Sequence, residues 1–146
     1  MSEGPLTASA IISFSTDLEA RSAGFYRELA VRFPRHERTF AGWAAECEKS
    51  STQVTRTYQE TISDALEAGF SFSGLRLAAY EIDVDMPPGI DLDQAVEKVV
   101  ALEEQAIAFY QDVAERSQSL LATIPRAFRR AARTRRRRLE KLEALG

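Results

Sequence analysis

A twelve-residue segment occurs twice in this chain, and no other feature limits the fold as much. Glu19-Ala-Arg-Ser-Ala-Gly-Phe25-Tyr26-Arg-Glu-Leu-Ala30 aligns without a gap with Glu103-Glu-Gln-Ala-Ile-Ala-Phe109-Tyr110-Gln-Asp-Val-Ala114, 84 positions later. A repeat at that distance in 146 residues divides the chain into two related halves. Each half holds a second periodic segment after the repeated one. There the match is weaker: Phe40, Ala44, Cys47 and Ser50 fall opposite Phe128, Ala132, Arg135 and Arg138.

Four segments carry the 3.6-residue period of an amphipathic helix, over about 7–32, 35–67, 91–117 and 124–145. All are rich in Ala, Leu, Glu, Gln and Arg, which lose little on entering a helix. Pro34 suits the first turn of the second helix, where its missing N–H costs nothing. Asp91 with Gln94 has the spacing of a capping box, and Thr123 with Pro125 marks the last start. Short connections make each half an antiparallel hairpin. Residues 68–90, with Gly69, Gly74, Pro87, Pro88 and Gly89, form a crossover between the hairpins. A helix of about 26 residues is about 39 Å long, and about 20 extended residues reach about 65 Å. The crossover can therefore run the length of a four-helix bundle. Its apolar residues (Phe70, Phe72, Leu75, Leu77, Tyr80, Ile82 and Val84) are expected to pack on the bundle or on another subunit. The expected architecture is a single all-α domain spanning residues 1–146.

The inward stripes of the four helices are mostly apolar. In the first, Ile12, Ser15, Glu19, Ser22, Tyr26 and Leu29 share a face; in the third, Val96, Val99, Glu103, Ala106, Tyr110 and Val113 do. Phe40, Trp43, Ala44, Cys47, Ser50, Val54 and Tyr58 line the second, and Phe128, Ala131, Ala132, Arg135, Arg138, Leu139 and Leu142 the fourth. Two carboxylates and two guanidiniums thus face one core. An unpaired charge there costs several kcal/mol, so the opposite charges should pair. The alternative is a rotated fourth helix whose arginines reach water along apolar neighbours.

With its two Glu-x6-Tyr elements, Glu19…Tyr26 and Glu103…Tyr110, each continuing as Phe-Tyr-x-x-x-Ala, the chain resembles the rubrerythrin-like branch of the ferritin-like superfamily. The segment Phe40-Ala-Gly-Trp-Ala-Ala resembles the Phe-x-x-Leu-Ala start of that family's second helix. The resemblance covers both hairpins. It implies a ferritin-like four-helix bundle and, in the usual member, a pair of iron or similar ions. These are held by one Glu from each of two helices and a Glu-x-x-His pair from each of the others. Carried over by position, Glu19 and Glu103 match the single glutamates. Cys47 and Ser50 stand where the first Glu-x-x-His pair belongs, and Arg135 and Arg138 where the second belongs. Four of six ligand positions have changed. Arginine keeps its proton in proteins, so it repels a metal instead of ligating it. The di-iron site is therefore expected to be degenerate: no metal, no other cofactor, and guanidiniums bridging Glu19 and Glu103 with help from the Tyr26 and Tyr110 hydroxyls.

Other features are read more plainly. Cys47 could be a redox thiol if the arginines lower its pKa, but a mid-helix cysteine on an apolar face is expected to be an inert core residue. His36 is expected at an exposed turn; Glu46 and Glu48 flank Cys47 and could be recruited as carboxylates, but they fall on either side of the inner stripe and are expected in surface or interface roles. Eight arginines lie between Arg126 and Arg138. They suggest an anion or nucleic-acid surface on the fourth helix. The net charge of −3 and the absence of aromatic interleaving argue against nucleic acid. One cysteine and one histidine exclude an intramolecular disulfide and any site needing several imidazoles. No Gly-rich phosphate loop follows a strand, and no Ser/His/Asp set assembles around the single histidine. No apolar run approaches the ~20 residues of a membrane span. The first ten residues lack the basic start of a secretory signal, so a cytoplasmic protein is expected. The expectation is a non-enzymatic, metal-free ferritin-like domain with a structural or interaction role, as a homodimer or with a protein partner. The alternatives are a rubrerythrin-like oxidoreductase or iron-handling protein with a different metal site, and an anion or nucleic-acid binder.

Overall fold

In a computed structural model that describes residues 8–61, 75–116 and 123–142, the chain is all-helical, with no strand among the described residues. The four helices are α1 (Ala8–Arg32), α2 (Glu37–Thr61), α3 (Leu92–Arg116) and α4 (Thr123–Leu142). All four expected helices are present. The expected extensions at residues 7, 62–67, 117 and 143–145 lie outside the described residues, as do Gly69, Phe70, Phe72 and Gly74 of the crossover.

Local chemistry sets the ends. α2 begins at Glu37 and not at residue 35, because Pro34–His36 form a separate 3₁₀ turn closed by the His36 N–H on the Phe33 carbonyl at 2.8 Å. Pro34 opens that turn, where its fixed φ fits and no N–H is needed. α3 starts as its spacing predicts. Asp91 N–H donates to Gln94 Oε1 at 3.0 Å, and Gln94 N–H donates to Asp91 Oδ1 at 2.8 Å. This reciprocal pair satisfies two N–H groups that a helix start leaves without partners.

α1 packs along α2, α3 along α4, and α2 lies beside α4. Within the second pair the contacts run in opposite order: Tyr110 of α3 meets Phe128 of α4, and Glu103 meets Arg135. One continuous core joins all four helices. Every member of the expected inward rows is buried except Ile12, Tyr58, Val96 and Leu139, which are half-buried at the stripe edges. The aromatic end of the core holds Tyr26, Phe40 and Trp43 in edge-to-face and stacked contact, with centroids 5.5–6.4 Å apart.

The described part of the crossover is an irregular strap with one 3₁₀ turn, Leu77–Tyr80. Leu75 and Ile82 are buried in the common core. Its backbone carbonyls are tied to the helices: Arg21 donates to the Ile82 carbonyl, Arg32 to Pro87 and Met86, and Gln105 to Ala79. Tyr80 donates to Asp112 at 2.5 Å, and Lys98 pairs with Asp83 at 3.0 Å. The strap turns into α3 at Gly89, whose φ of +76° is a conformation open to glycine at little cost.

Candidate functional site

Helical spacing delivers one carboxylate from each repeated segment to the middle of the core. Glu19 and Glu103 are 1% and 0% exposed, and Arg135 and Arg138, three residues apart on α4, are both 1% exposed. The charged set therefore faces inward, and the rotated-helix alternative is excluded. Arg135 lies between the repeats: Nη2 is 2.9 Å from Glu19 Oε1, and Nη1 donates to Glu103 Oε1 at 2.8 Å. Arg135 Nη2 also donates to Ser22 Oγ at 3.0 Å. Arg138 donates from Nη1 to Glu103 Oε2 at 3.1 Å and from Nε to Glu46 Oε1 at 3.1 Å. Its Cζ lies 5.7 Å from the centre of the Tyr26 ring, within cation–π range.

Both tyrosines reach across the repeat. Tyr26 of α1 donates to Glu103 Oε2 of α3, and Tyr110 of α3 donates to Glu19 Oε2 of α1 at 2.5 Å. Ser15 Oγ lies 2.9 Å from the Tyr110 oxygen; because that hydroxyl gives its proton to Glu19, Ser15 is the donor. Three buried polar atoms of the cluster lack a hydrogen bond among the described residues: Glu19 Oε1, Arg135 Nε and Arg138 Nη2. Glu19 Oε1 is at ion-pair distance from Arg135 without the alignment of a hydrogen bond.

Three expectations are corrected here. Glu46 does not serve the surface alone; half-exposed, it is the second carboxylate on Arg138. The cluster thus contains three carboxylates and two guanidiniums, not two of each. The arginines also divide the work unequally, since Arg138 pairs with Glu103 and Glu46 and makes no ion pair with Glu19. One signal for Glu46 was available in the sequence. Glu103 must serve two arginines, and Glu46 precedes Cys47 at the edge of the α2 stripe that turns toward α4. Glu48, as expected, stays outside and pairs with Arg27. His36 differs: it is half-buried, with its ring edge toward Phe40 at 6.3 Å.

The ionisation of the cluster follows from its geometry. Burial opposes the charge on Glu103, but Arg135, Arg138 and the Tyr26 hydroxyl outweigh it and hold the carboxyl below its usual range. Burial likewise opposes the charge on Arg135, and Glu103 and Glu19 override it, so its pKa is raised further. Tyr26 and Tyr110 are pushed well up, first by burial and then by the neighbouring carboxylates. They stay neutral donors. Cys47 and Ser50 are buried beside the cluster on α2. Burial pushes the Cys47 thiol up to about 12 even though both arginines pull it down. The redox-thiol reading required a lowered pKa; desolvation wins, and the thiol is protonated at neutral pH.

The six positions that the resemblance singles out, Glu19, Cys47, Ser50, Glu103, Arg135 and Arg138, are all buried in the core. Their chemistry does not suit a pair of divalent ions. The carboxylates are already engaged by guanidiniums, and any ion entering here would sit between two permanent cations. Among the described residues no group of three or more His, Cys, Asp or Glu side chains is placed to hold a metal. Nor is any described helix long and apolar enough to cross a membrane. No family model, curated protein or solved structure matches the chain.

Proposed function

We propose that this chain is a metal-free, rubrerythrin-like ferritin-like domain with a structural or interaction role, its di-metal centre replaced by a Glu/Arg salt-bridge cluster. The observation that carries this reading is Arg135, whose guanidinium meets Glu19 and Glu103 at 2.9 and 2.8 Å. Those glutamates occupy the positions at which the resemblance expects two helices to contribute one carboxylate each. A planar guanidinium between them supplies the positive charge that an ion would bring, without a redox state or an exchangeable ligand. The pseudo-twofold exchange of tyrosine hydroxyls supports the same ancestry, because a duplicated hairpin generates such reciprocal contacts. In this reading the domain is not an enzyme and is cytoplasmic. Its partner is a second copy or another protein. The homodimer rests on the habit of such bundles alone, since Leu75 and Ile82 of the crossover are buried within their own chain.

Metal analysis of protein expressed with iron and manganese in excess tests the proposal. No stoichiometric metal is expected, and a full complement of ions per chain overturns the reading. The complementary test restores ligands. The double variant Arg135→Glu, Arg138→His should be less stable in chelator and should regain stability with ferrous or manganous ion. Size measurement by light scattering tests the homodimer.

A further inference from the structure

A groove of about 430 Å³ runs between α2 and α4, outside the buried cluster. Along α4, Arg130, Arg133, Arg137 and Lys141 are three or four residues apart and form one stripe facing the groove. Lys49 faces them from α2, and Arg138 lies at the inner wall. The lining holds one carboxylate, Glu46, and it is already paired with Arg138, which leaves the other five cations facing none in the groove. Lys49, Arg130, Arg133, Arg137 and Lys141 make no ion pair among the described residues. Like charges set side by side and across a groove repel one another, and a chain with net charge −3 has acidic groups to spare for them elsewhere. At the inner wall Arg138 is 1% exposed and already paired with Glu103 and Glu46, so an anion in the groove meets its guanidinium only where Glu46 gives way.

We infer that this groove binds a small phosphate-bearing anion. Guanidinium forks and a lysine on both walls match phosphate oxygens, and Ser50, Gln53 and Thr134 add neutral hydrogen-bonding groups. The lining also selects among phosphate compounds. Every lining residue is polar, and no aromatic ring lines the groove for a nucleobase to stack on. The ligand class is an inorganic polyphosphate or a sugar phosphate, not a nucleic acid. Glu46 is the gate: it holds Arg138 Nε at 3.1 Å, and an anion in the groove competes with it for the same guanidinium. This inference does not rest on the metal-free reading, since the groove would persist whatever the buried cluster once held.

Titration calorimetry with inorganic pyrophosphate at fixed ionic strength tests it. One saturable site with a dissociation constant below about 1 mM is expected. The surface double variant Lys49→Gln, Arg137→Gln should weaken binding by about tenfold or more, while Arg126→Gln, which is exposed on α4 outside the groove, should leave it unchanged. Glu46→Gln should tighten it by freeing Arg138. Circular dichroism confirms that each variant is folded. Three results would overturn the inference: no saturable binding, equal weakening by Arg126→Gln, or tighter binding of single-stranded or duplex nucleic acid than of pyrophosphate through the same residues.

Discussion

Tyr26 donates its hydroxyl proton to Glu103, a residue that lies seven positions before Tyr110 in the other copy of the same segment. Tyr110 returns the contact to Glu19, seven positions before Tyr26. Each repeat thus supplies the hydrogen bond that the other repeat's carboxylate needs. Neither carboxylate could be buried at this depth with only its own helix around it.

The two contacts differ in their surroundings: Tyr110 also accepts from Ser15, whereas Glu103 Oε2 keeps Arg138 when Tyr26 is truncated, so removing the Tyr110 hydroxyl should cost more. Tyr26→Phe and Tyr110→Phe leave a buried carboxylate oxygen short of a donor, and each should lower unfolding free energy by about 1–3 kcal/mol. Urea unfolding of the two variants checks this. A negligible loss in either would mean that the hydroxyl contributes nothing net.

Arg135 is the residue whose truncation should hurt most. Arg135→Leu leaves Glu19 without a cation and Glu103 with Arg138 alone, which should cost about 3–5 kcal/mol. Arg135→Lys keeps the charge but cannot present two nitrogens in a fork, so it should fall between wild type and the leucine variant. The urea midpoints should rank wild type, lysine, leucine. Replacing Glu19 and Arg135 together with Met and Leu should recover part of the loss, because no charge is then left alone.

Acid should unfold the protein through Glu103. Its carboxyl is held low in the folded state and titrates near 4.3 in an unfolded chain. The contribution is complete above the unfolded value and is lost as pH falls through it toward the folded one. Stability should be flat from about pH 7 to about pH 5 and drop below about 4.5. In Glu103→Gln that part of the drop should be absent. An identical acid slope in the variant would show that other carboxylates govern acid unfolding.

Cys47 predicts the opposite limb. Its thiol is held up to about 12 in the folded chain and titrates near 8.5 when unfolded. Stability linked to it is fully present below about pH 8.5 and is lost as pH rises above that, because only the unfolded chain releases the proton. At neutral pH a thiol reagent should label Cys47 no faster than the protein opens, and urea should release the reaction. Prompt labelling of the folded protein would contradict its burial.

Much of this architecture was legible in the sequence because it depends on spacing. Ser15, Glu19, Ser22 and Tyr26 recur at helical intervals, and their counterparts around Glu103 do so again, so the core could be read without coordinates. The Asp91–Gln94 cap was legible for the same reason: a reciprocal hydrogen bond needs fixed residues at fixed separation. Pairing between helices was less legible. Whether Arg138 reaches Glu19 or Glu46 depends on the rotation of α2 against α4, and the one-dimensional pattern gives the stripe of each helix but not its angle to a neighbour. His36 was misjudged because a position just outside a helix has no period to read, and its contact with Phe40 is made by the 3₁₀ turn. The groove was half legible. The sequence displayed the arginines, and only the packing of α4 on α2 showed which of them face Lys49.

The cross-linked charges also govern the order in which the chain can mature. On a ribosome the first hairpin emerges before α4 has been made, and Arg135, the cation that meets Glu19, belongs to α4. Until it arrives, closing the first hairpin's apolar face would desolvate a lone carboxylate, so that half must keep Glu19 wet. Docking of the two halves therefore brings Glu19 its cation in the same step that takes it out of water.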